Sequence, residues 1–424
     1  MKQRSASHPP SHPPGRLAHA LIALLIALGV TLRVLDFPVA VYTPDEDAYA
    51  DFYATPIYDN GAGELPKLVR EYNARPDMLQ FPSPTRVGHL WAIVGFMNLL
   101  GRATIQNAAW ASAAASMLIL LLIARIGLRS LNPWATAIAL LFAVVSPLDR
   151  AMARRVWGDE LFAACALATL HAFIAWASGP RRTRWMVLCL VFAGYSILIK
   201  ETGLMVLGCA TAGLAIVAWR ASGPRGAALA LLAGAATLVA SIAALAIACG
   251  GLEPLRATFA RMAAASHGNE YMMKYQTGGP GYYVRGLMAL QPLPIILGLL
   301  GAVAVALRWP ALRWSFKTPR AQTALATLAA FTLAFAALAL VWPQKNLRFL
   351  SPIYAPLDLL AGAALWAALN ARRWRLPAPA LRIGVALVAV ALLAAAIADQ
   401  QRFVELFLRR GIPDLATPWF TPAR

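Results

Sequence analysis

Long apolar runs broken by short polar pieces set the pattern of this chain. The first run extends from Leu17 to Leu35, and a polar stretch follows, Asp36 to Thr85, with many Pro, Asp and Tyr. Val87–Leu100 is apolar but short. After it come Ala108–Ile123, Trp134–Val145, Leu161–Ala177, Trp185–Ile199, Leu204–Trp219, Ala227–Cys249, Leu287–Leu307, Ala324–Val341, Ile353–Leu369 and Ile383–Ala398. A helix needs roughly 20 apolar residues to cross a bilayer, so these runs predict an all-α polytopic membrane protein. Trp134–Val145 is short for a crossing and is expected to extend into Ser146-Pro147.

Val87–Leu100 decides which side each loop faces. If it crosses, the basic loops scatter over both sides. If it lies in or dips into the outer interface, they sort. Arg125/Arg129, Arg181/Arg182/Arg184, Arg220/Arg225, Arg308/Arg313/Lys317/Arg320 and Arg372/Arg373/Arg375/Arg382 then all fall on the side of the N-terminus. None of these loops contains an acid, and basic loops mark the cytoplasmic side. The reading is a cytoplasmic N-terminus, about eleven transmembrane helices and an interfacial or re-entrant helix after the first outer loop. It gives a disordered head (1–16), a membrane domain (17–398) and a periplasmic tail (399–424). The outer pieces are 36–105, 147–160, Lys200-Glu201, 251–285 and 343–349.

Composition supports this. Of 424 residues, 59% are hydrophobic and 13% charged, against about 25% charged in soluble domains. The net charge of +19 does not imply a nucleic-acid partner, because the Arg and Lys sit in short loops between apolar runs. Cys165, Cys189, Cys209 and Cys249 all lie in apolar runs, without metal-ligand spacing. The first 35 residues look like a signal peptide, but no small-x-small site follows, so an uncleaved first span is expected. Ala- and Arg-rich composition points to a bacterial inner membrane, with the outer face in the periplasm.

The cytoplasmic stubs are too small for a domain, so chemistry belongs outside. Tyr42-Thr43-Pro44-Asp45-Glu46-Asp47-Ala48-Tyr49-Ala50-Asp51 is the most acidic stretch. Its carboxylates can serve as general base or metal ligands, and acids held near lipid are costly unless used or paired. Pro44 followed by acids suits a helix start, which would put Asp47 and Asp51 on one face. The second outer piece carries Arg150, Arg154, Arg155, Asp159 and Glu160, with Arg suited to phosphate and an acid able to complete a metal site. Lys200 either pairs with Glu201 or faces an anionic substrate. The late loop has Tyr271, Tyr275, Tyr282 and Tyr283, which suit sugars or an interface anchor. Lys345 and Arg348 stand on the side where cations are not a topology signal, which favours a phosphate role. No P-loop, G-x-S-x-G, H-E-x-x-H or dinucleotide fingerprint is present, and no nucleotide cofactor is expected.

These motifs, in this order, resemble the GT-C membrane glycosyltransferases, in the branch of protein O-mannosyltransferases and lipid A aminoarabinose transferases. Pro44-Asp45-Glu46 with Tyr49 and Asp51 is similar to that branch's first-loop motif. Gly158-Asp159, with Arg154 or Arg155 nearby, resembles its second-loop acid. Leu198-Ile199-Lys200, Pro280-Gly281-Tyr282-Tyr283 and Lys345 through Arg348-Phe349 resemble its later motifs. The resemblance implies a GT-C-like bundle and inverting transfer from a polyprenyl-phosphate sugar. The acceptor, a lipopolysaccharide, protein or other envelope glycan, would be met on the outer face. It implies Asp45, with Glu46 and Asp159, as the catalytic carboxylates. Tyr49, Asp51, Arg154, Arg155, Lys200, Tyr282, Tyr283, Lys345 and Arg348 would contact substrate. A divalent metal on Asp45 and Asp159 is a variable property of that family. The partners implied are the lipid-linked donor, membrane lipids and an acceptor recognised by loops or by another protein. The competing reading is a flippase or transporter of lipid-linked sugars. Transporters place polar groups near the bilayer midplane, whereas these spans are nearly free of charge apart from Arg33 and Asp358.

Overall fold

The structure, a computed structural model, describes residues 15–35, 43–75, 77, 82–179, 183–371 and 378–420. The expected disordered head up to residue 14, Arg181, Arg182 and the Arg372–Arg375 run lie outside them. Among the described residues every regular element is helical. The chain runs through α1 (Gly15–Leu35), α2 (Pro44–Asp47), a π-helical turn (Ala48–Ala54), α3 (Thr55–Asn60), α4 (Leu65–Ala74) and α5 (Val87–Leu100). Next come α6 (Ile105–Ser130), α7 (Pro133–Val145), α8 (Pro147–Ala153), α9 (Asp159–Ser178), α10 (Thr183–Ile199) and α11 (Gly203–Ala248). The late polar segment, expected on the outer side, follows as α12 (Leu252–Gly268), α13 (Glu270–Tyr275) and α14 (Gly281–Leu290), and is called the outer segment below. The chain then continues as α15 (Pro292–Ala306), α16 (Pro310–Ser315), α17 (Pro319–Val341), α18 (Ser351–Leu369) and α19 (Ala378–Phe403).

By length and apolarity seven described helices could cross a membrane, or eight if α7 and α8, bent by 56°, form one broken span. Helices α10 and α15 are apolar but shorter. Eleven crossings are reached only if these two also cross and α11 crosses twice. The 46 residues of α11 are broken at Gly223, with φ 67° and ψ −158°, followed by Pro224. Only glycine takes that conformation cheaply, and the proline cannot continue the hydrogen-bond ladder. The break lies between the two runs, Leu204–Trp219 and Ala227–Cys249, that the pattern separates.

Helix α18 is the hub, packed against α7, α9, α15 and α17 and buried along most of its length. Lipid tails are as apolar as Leu, so close packing rather than hydrophobicity holds such helices together. Small residues permit it. A Cβ added at Gly298 or Gly301 of α15 would come within 2.6 or 2.7 Å of the carbonyl oxygens of Leu357 and Leu360 on α18. One added at Gly362 of α18 would meet the Ala135 carbonyl of α7 at 2.3 Å.

The polar stretches 44–74 and 252–275 are largely helical rather than loops. Helices α4 and α12 pack together, with Asn73 Nδ2 donating to the Pro254 carbonyl (3.0 Å). The stretch from Asp399, expected as a tail, begins as helix. Helix continues to Arg409 through a second π-helical turn, and Leu415, Ala416 and Thr417 are buried against the outer segment. Thr417 donates through its N–H to the Tyr282 hydroxyl and through its own hydroxyl to the Tyr282 carbonyl, both 2.9 Å.

Candidate active site

The acidic stretch begins a helix for local reasons. Thr43 is extended (φ −120°, ψ 161°), Pro44 holds the first helical position and Glu46 the third, where its Oε2 accepts the Thr43 N–H at 2.8 Å. This reciprocal cap fixes the helix start. Successive helical residues point roughly 100° apart, so Asp45 and Glu46 face different surroundings.

Glu46 faces inward and has no exposed side-chain area. Its Oε1 accepts from Arg155 Nε (2.7 Å) and the Val156 N–H (3.2 Å), and its Oε2 from Arg155 Nη2 (2.6 Å). Both carboxylate oxygens are occupied. Glu46, expected among the catalytic groups, instead ties the acidic segment to the loop before α9. Arg155, expected at the substrate, is the other half of this tie.

Asp45 stays partly exposed. Its side chain is 29% exposed and its Oδ2 accepts from Nη1 and Nη2 of Arg348, both at 3.0 Å. Its Oδ1 has no partner among the described residues. Arg348 is itself 14% exposed and lies over the Trp157 ring at 4.9 Å, while Arg155 lies over the same indole at 4.6 Å. The indole therefore fixes both guanidinium groups by cation–π contact. A guanidinium is not deprotonated in proteins, so Arg348 is a permanent cation.

Behind this pair, Asp159 in the first turn of α9 pairs with Lys200, each side chain 6% exposed. Lys200 stands over the Phe349 ring at 4.5 Å. It sits at the tight α10–α11 joint, where a Cβ on Gly203 would meet the Ser196 backbone at 2.3 Å. Burial lowers the Lys200 pKa, and Asp159 offsets part of that. Its neighbour Glu201 does not pair with it. Glu201 accepts from Arg86 Nε and Nη2, both at 3.2 Å, and Arg86 also donates to the Tyr49 hydroxyl. Burial raises the Glu201 pKa, but Arg86 more than reverses this and holds it below the usual range. His89 packs edge-on to Tyr49 at 4.8 Å, and its burial lowers its pKa to about 4, so it is neutral at pH 7.

Other expected contacts lie elsewhere. Lys345 is buried and turns back to cap α17: its Nζ donates to the carbonyls of Ala339 (3.2 Å), Leu340 (2.7 Å) and Trp342. An ammonium has three donors, so none remains for a phosphate. Tyr282 donates to the Tyr275 carbonyl at 2.8 Å and braces the C-terminal segment, as described above. Tyr283 is buried beneath Lys345, with Nζ 5.6 Å from its ring. Arg154 is buried against Phe403. Asp51 is exposed on the π-helical turn, where burial and then Asp47 raise its pKa.

Three site residues lack an obvious signal in the sequence. Arg86 stands just before α5, where a cation opposes the helix dipole; that misplacement is the one clue. Trp157 sits inside an Arg-rich piece, and only the structure shows it between two guanidinium groups. Asp414 accepts from Asn346 Nδ2 (3.0 Å), the Tyr271 hydroxyl (2.8 Å), Gln276 Nε2 (3.3 Å) and the Leu415 N–H (2.7 Å). It binds the C-terminal segment, the late outer segment and the Arg348 loop at one point.

No three His, Cys, Asp or Glu converge as metal ligands among the described residues. Asp45 and Asp159, the expected metal pair, each hold a protein cation instead. A divalent ion would need more oxygens and would repel both Arg348 and Lys200, so this donor set does not fit one.

Residues 84–247 match the family model for dolichyl-phosphate-mannose-protein mannosyltransferases. That stretch includes Arg86, Asp159, Lys200 and Glu201 but neither Asp45 nor Arg348. No curated protein matches the chain in sequence. Among solved structures, ArnT from Cupriavidus metallidurans bound to undecaprenyl phosphate superposes with TM-score 0.57 at 19% identity, over 95% of this chain and 74% of that one. The Archaeoglobus fulgidus oligosaccharyltransferase in its apo form gives TM-score 0.58 at 13% identity, over 94% of this chain and 56% of that one. Its complex with an inhibitory peptide and a dolichol-phosphate gives 0.55 at 13%, over 94% and 58%. The chain thus spans little more than half of the archaeal enzyme's length. At these identities the likeness is one of fold.

Proposed function

We propose that the chain transfers a sugar from a polyprenyl-phosphate-sugar donor to an acceptor on the periplasmic face of a bacterial inner membrane, with inversion. The observation that carries this reading is the partly exposed Asp45–Arg348 pair, with the buried Asp159–Lys200 pair near it. The relatives crystallised with undecaprenyl phosphate and with a dolichol-phosphate support a lipid-phosphate donor.

Arg348 and Lys200 bind the donor phosphate. Arg348 then exchanges Asp45 for phosphate, so the arrival of the donor releases the base. Asp45 takes the proton of the acceptor hydroxyl. The acceptor oxygen bonds to the anomeric carbon as the bond from that carbon to the phosphate oxygen breaks on the opposite face. The electron pair leaves on the polyprenyl phosphate, whose growing charge meets both cations. Glu46 and Arg155 are positioning residues that hold Asp45 and Trp157 in place, and Glu201 and Tyr49 hold Arg86.

One observation favours the flippase reading: Arg33, Asp149, Glu160 and Asp358 are buried within the bundle, where charge is expensive. The discriminating experiment uses purified protein in sealed lipid vesicles, a panel of radiolabelled polyprenyl-phosphate sugars and an envelope extract as acceptor. Label reaches an acceptor with wild type and not with Asp45→Asn. Label that crosses the vesicle unmodified, with no transfer from any donor, would establish transport instead.

A further inference from the structure

Helices α15 and α17, joined through α16, enclose a half-open cavity of ≈ 300 Å³ at the end of the hairpin remote from the carboxylates. The proposed transfer makes no use of it. Arg308, Trp309, Arg313 and Gln322 form its polar rim, and the buried Leu312 and Phe316 lie in its apolar floor.

Basic residues at this end of a membrane helix are ordinary topology signals. Three features go beyond that. First, neither the Arg308 nor the Arg313 guanidinium has a hydrogen-bond or ion-pair partner among the described residues. Residues 308–320 hold Arg308, Arg313, Lys317 and Arg320 and no acid, so the chain supplies no local counter-charge. Second, Arg308 is the one non-glycine residue with positive φ (53°) among the described residues. It directly follows the C-cap of α15, where the Arg308 N–H meets the Val305 carbonyl (3.0 Å) and the Trp309 N–H meets the Ala304 carbonyl (2.8 Å). Glycine is the usual occupant of that position, because a side chain there is strained. The sequence keeps an arginine where glycine would fold more easily, and strain of this kind gathers at binding sites. Third, the surface leading to the rim is lipid-like: Leu300 and Val303 on α15 and Leu307 at its C-cap are exposed, as are Trp309 and Trp314, a residue type enriched at membrane interfaces.

We propose that this cavity binds the phosphate-bearing headgroup of an anionic membrane lipid. Arg308 and Arg313 hold the phosphate, Gln322 offers an amide to the glycerol oxygens, and the acyl chains run along the exposed face of α15. Basic pockets between transmembrane helices suit such headgroups.

The test uses the full chain in phosphatidylcholine nanodiscs, with phosphatidylglycerol titrated in. Bound lipid is counted by native mass spectrometry, and thermal unfolding is followed in parallel. Arg308→Gly keeps the backbone turn and relieves its strain, so this variant is at least as stable as wild type in phosphatidylcholine. In Arg308→Gly/Arg313→Ala, phosphatidylglycerol binds roughly 25-fold more weakly, a factor of about five for each cation. Its stabilising effect on unfolding disappears as well. Lys317→Ala, in the same segment but outside the rim, changes binding by less than about two-fold. Unchanged binding in the double variant overturns the site. An equal loss in Lys317→Ala overturns it too, by showing only diffuse charge attraction. Glycerol 1-phosphate that competes at matching concentration would assign the cavity to a soluble phosphate and overturn the lipid reading.

Discussion

Asp45 and Glu46 are neighbours of the same chemistry with opposite situations. One carboxylate is partly open to solvent beside Arg348, and the other is enclosed by Arg155, Val156 and Thr43. Asp45→Asn is expected to reduce transfer by roughly two to four orders of magnitude, the usual contribution of a general base, with an unchanged unfolding temperature. Glu46→Gln leaves Arg155 buried without its charge partner and is expected to destabilise the protein by about 3–5 kcal/mol. Thermal unfolding and activity measured on both variants separate the two roles. The same contrast divides Lys345 from Arg348. Arg348→Ala raises the KM for the donor, whereas Lys345→Met lowers thermal stability with the donor KM unchanged, because it uncaps α17. A raised donor KM in Lys345→Met would return that residue to the phosphate site. The motif that contains each residue is legible in the sequence; its direction is not. Adjacent acids, or two cations three residues apart, look alike until the helix start and the α17 terminus turn one of each pair inward.

At the scale of elements, the long apolar runs are easy to read because a bilayer forces their length. The outer segments are not. Helices α2, α3 and α13 have only four to six residues each, too few for a helical period to repeat, and the turn between α2 and α3 is π-helical. Such turns recur at functional sites, and this one presents Tyr49 to Arg86. The close approach of α15 to α18 is equally hidden, since a glycine in an apolar run shows no partner. Gly301→Leu should push the two helices apart and destabilise the protein by at least about 1–3 kcal/mol, the cost of overpacking. A variant that unfolds at the wild-type temperature would show that the helices do not touch there.

Across the whole molecule, the sorting of basic loops from acidic pieces carries the main information, because charge that is costly to move across a membrane leaves a mark on every loop. What that sorting cannot reveal is which distant segments meet. Asp414 is the clearest case: an ordinary acid in a polar segment that gathers Asn346, Tyr271 and Gln276 around one carboxylate. Asp414→Ala strands these donors. It is expected to expose the late outer segment to protease and to lower activity several-fold, with Asp414→Asn recovering part of both. Equal cleavage of wild type and Asp414→Ala in limited proteolysis would remove the bracing role.

That bracing has a consequence for biosynthesis. Asp45 leaves the ribosome early and Arg348 much later, but the loop carrying Arg348 gains its outer support only when Asp414 arrives, after the last apolar helix has been inserted. A growing chain therefore presents its acidic segment long before the wall opposite is complete. A nascent chain stalled within α19, before Asp414 is made, would lack that brace on the loop that pairs Arg348 with Asp45.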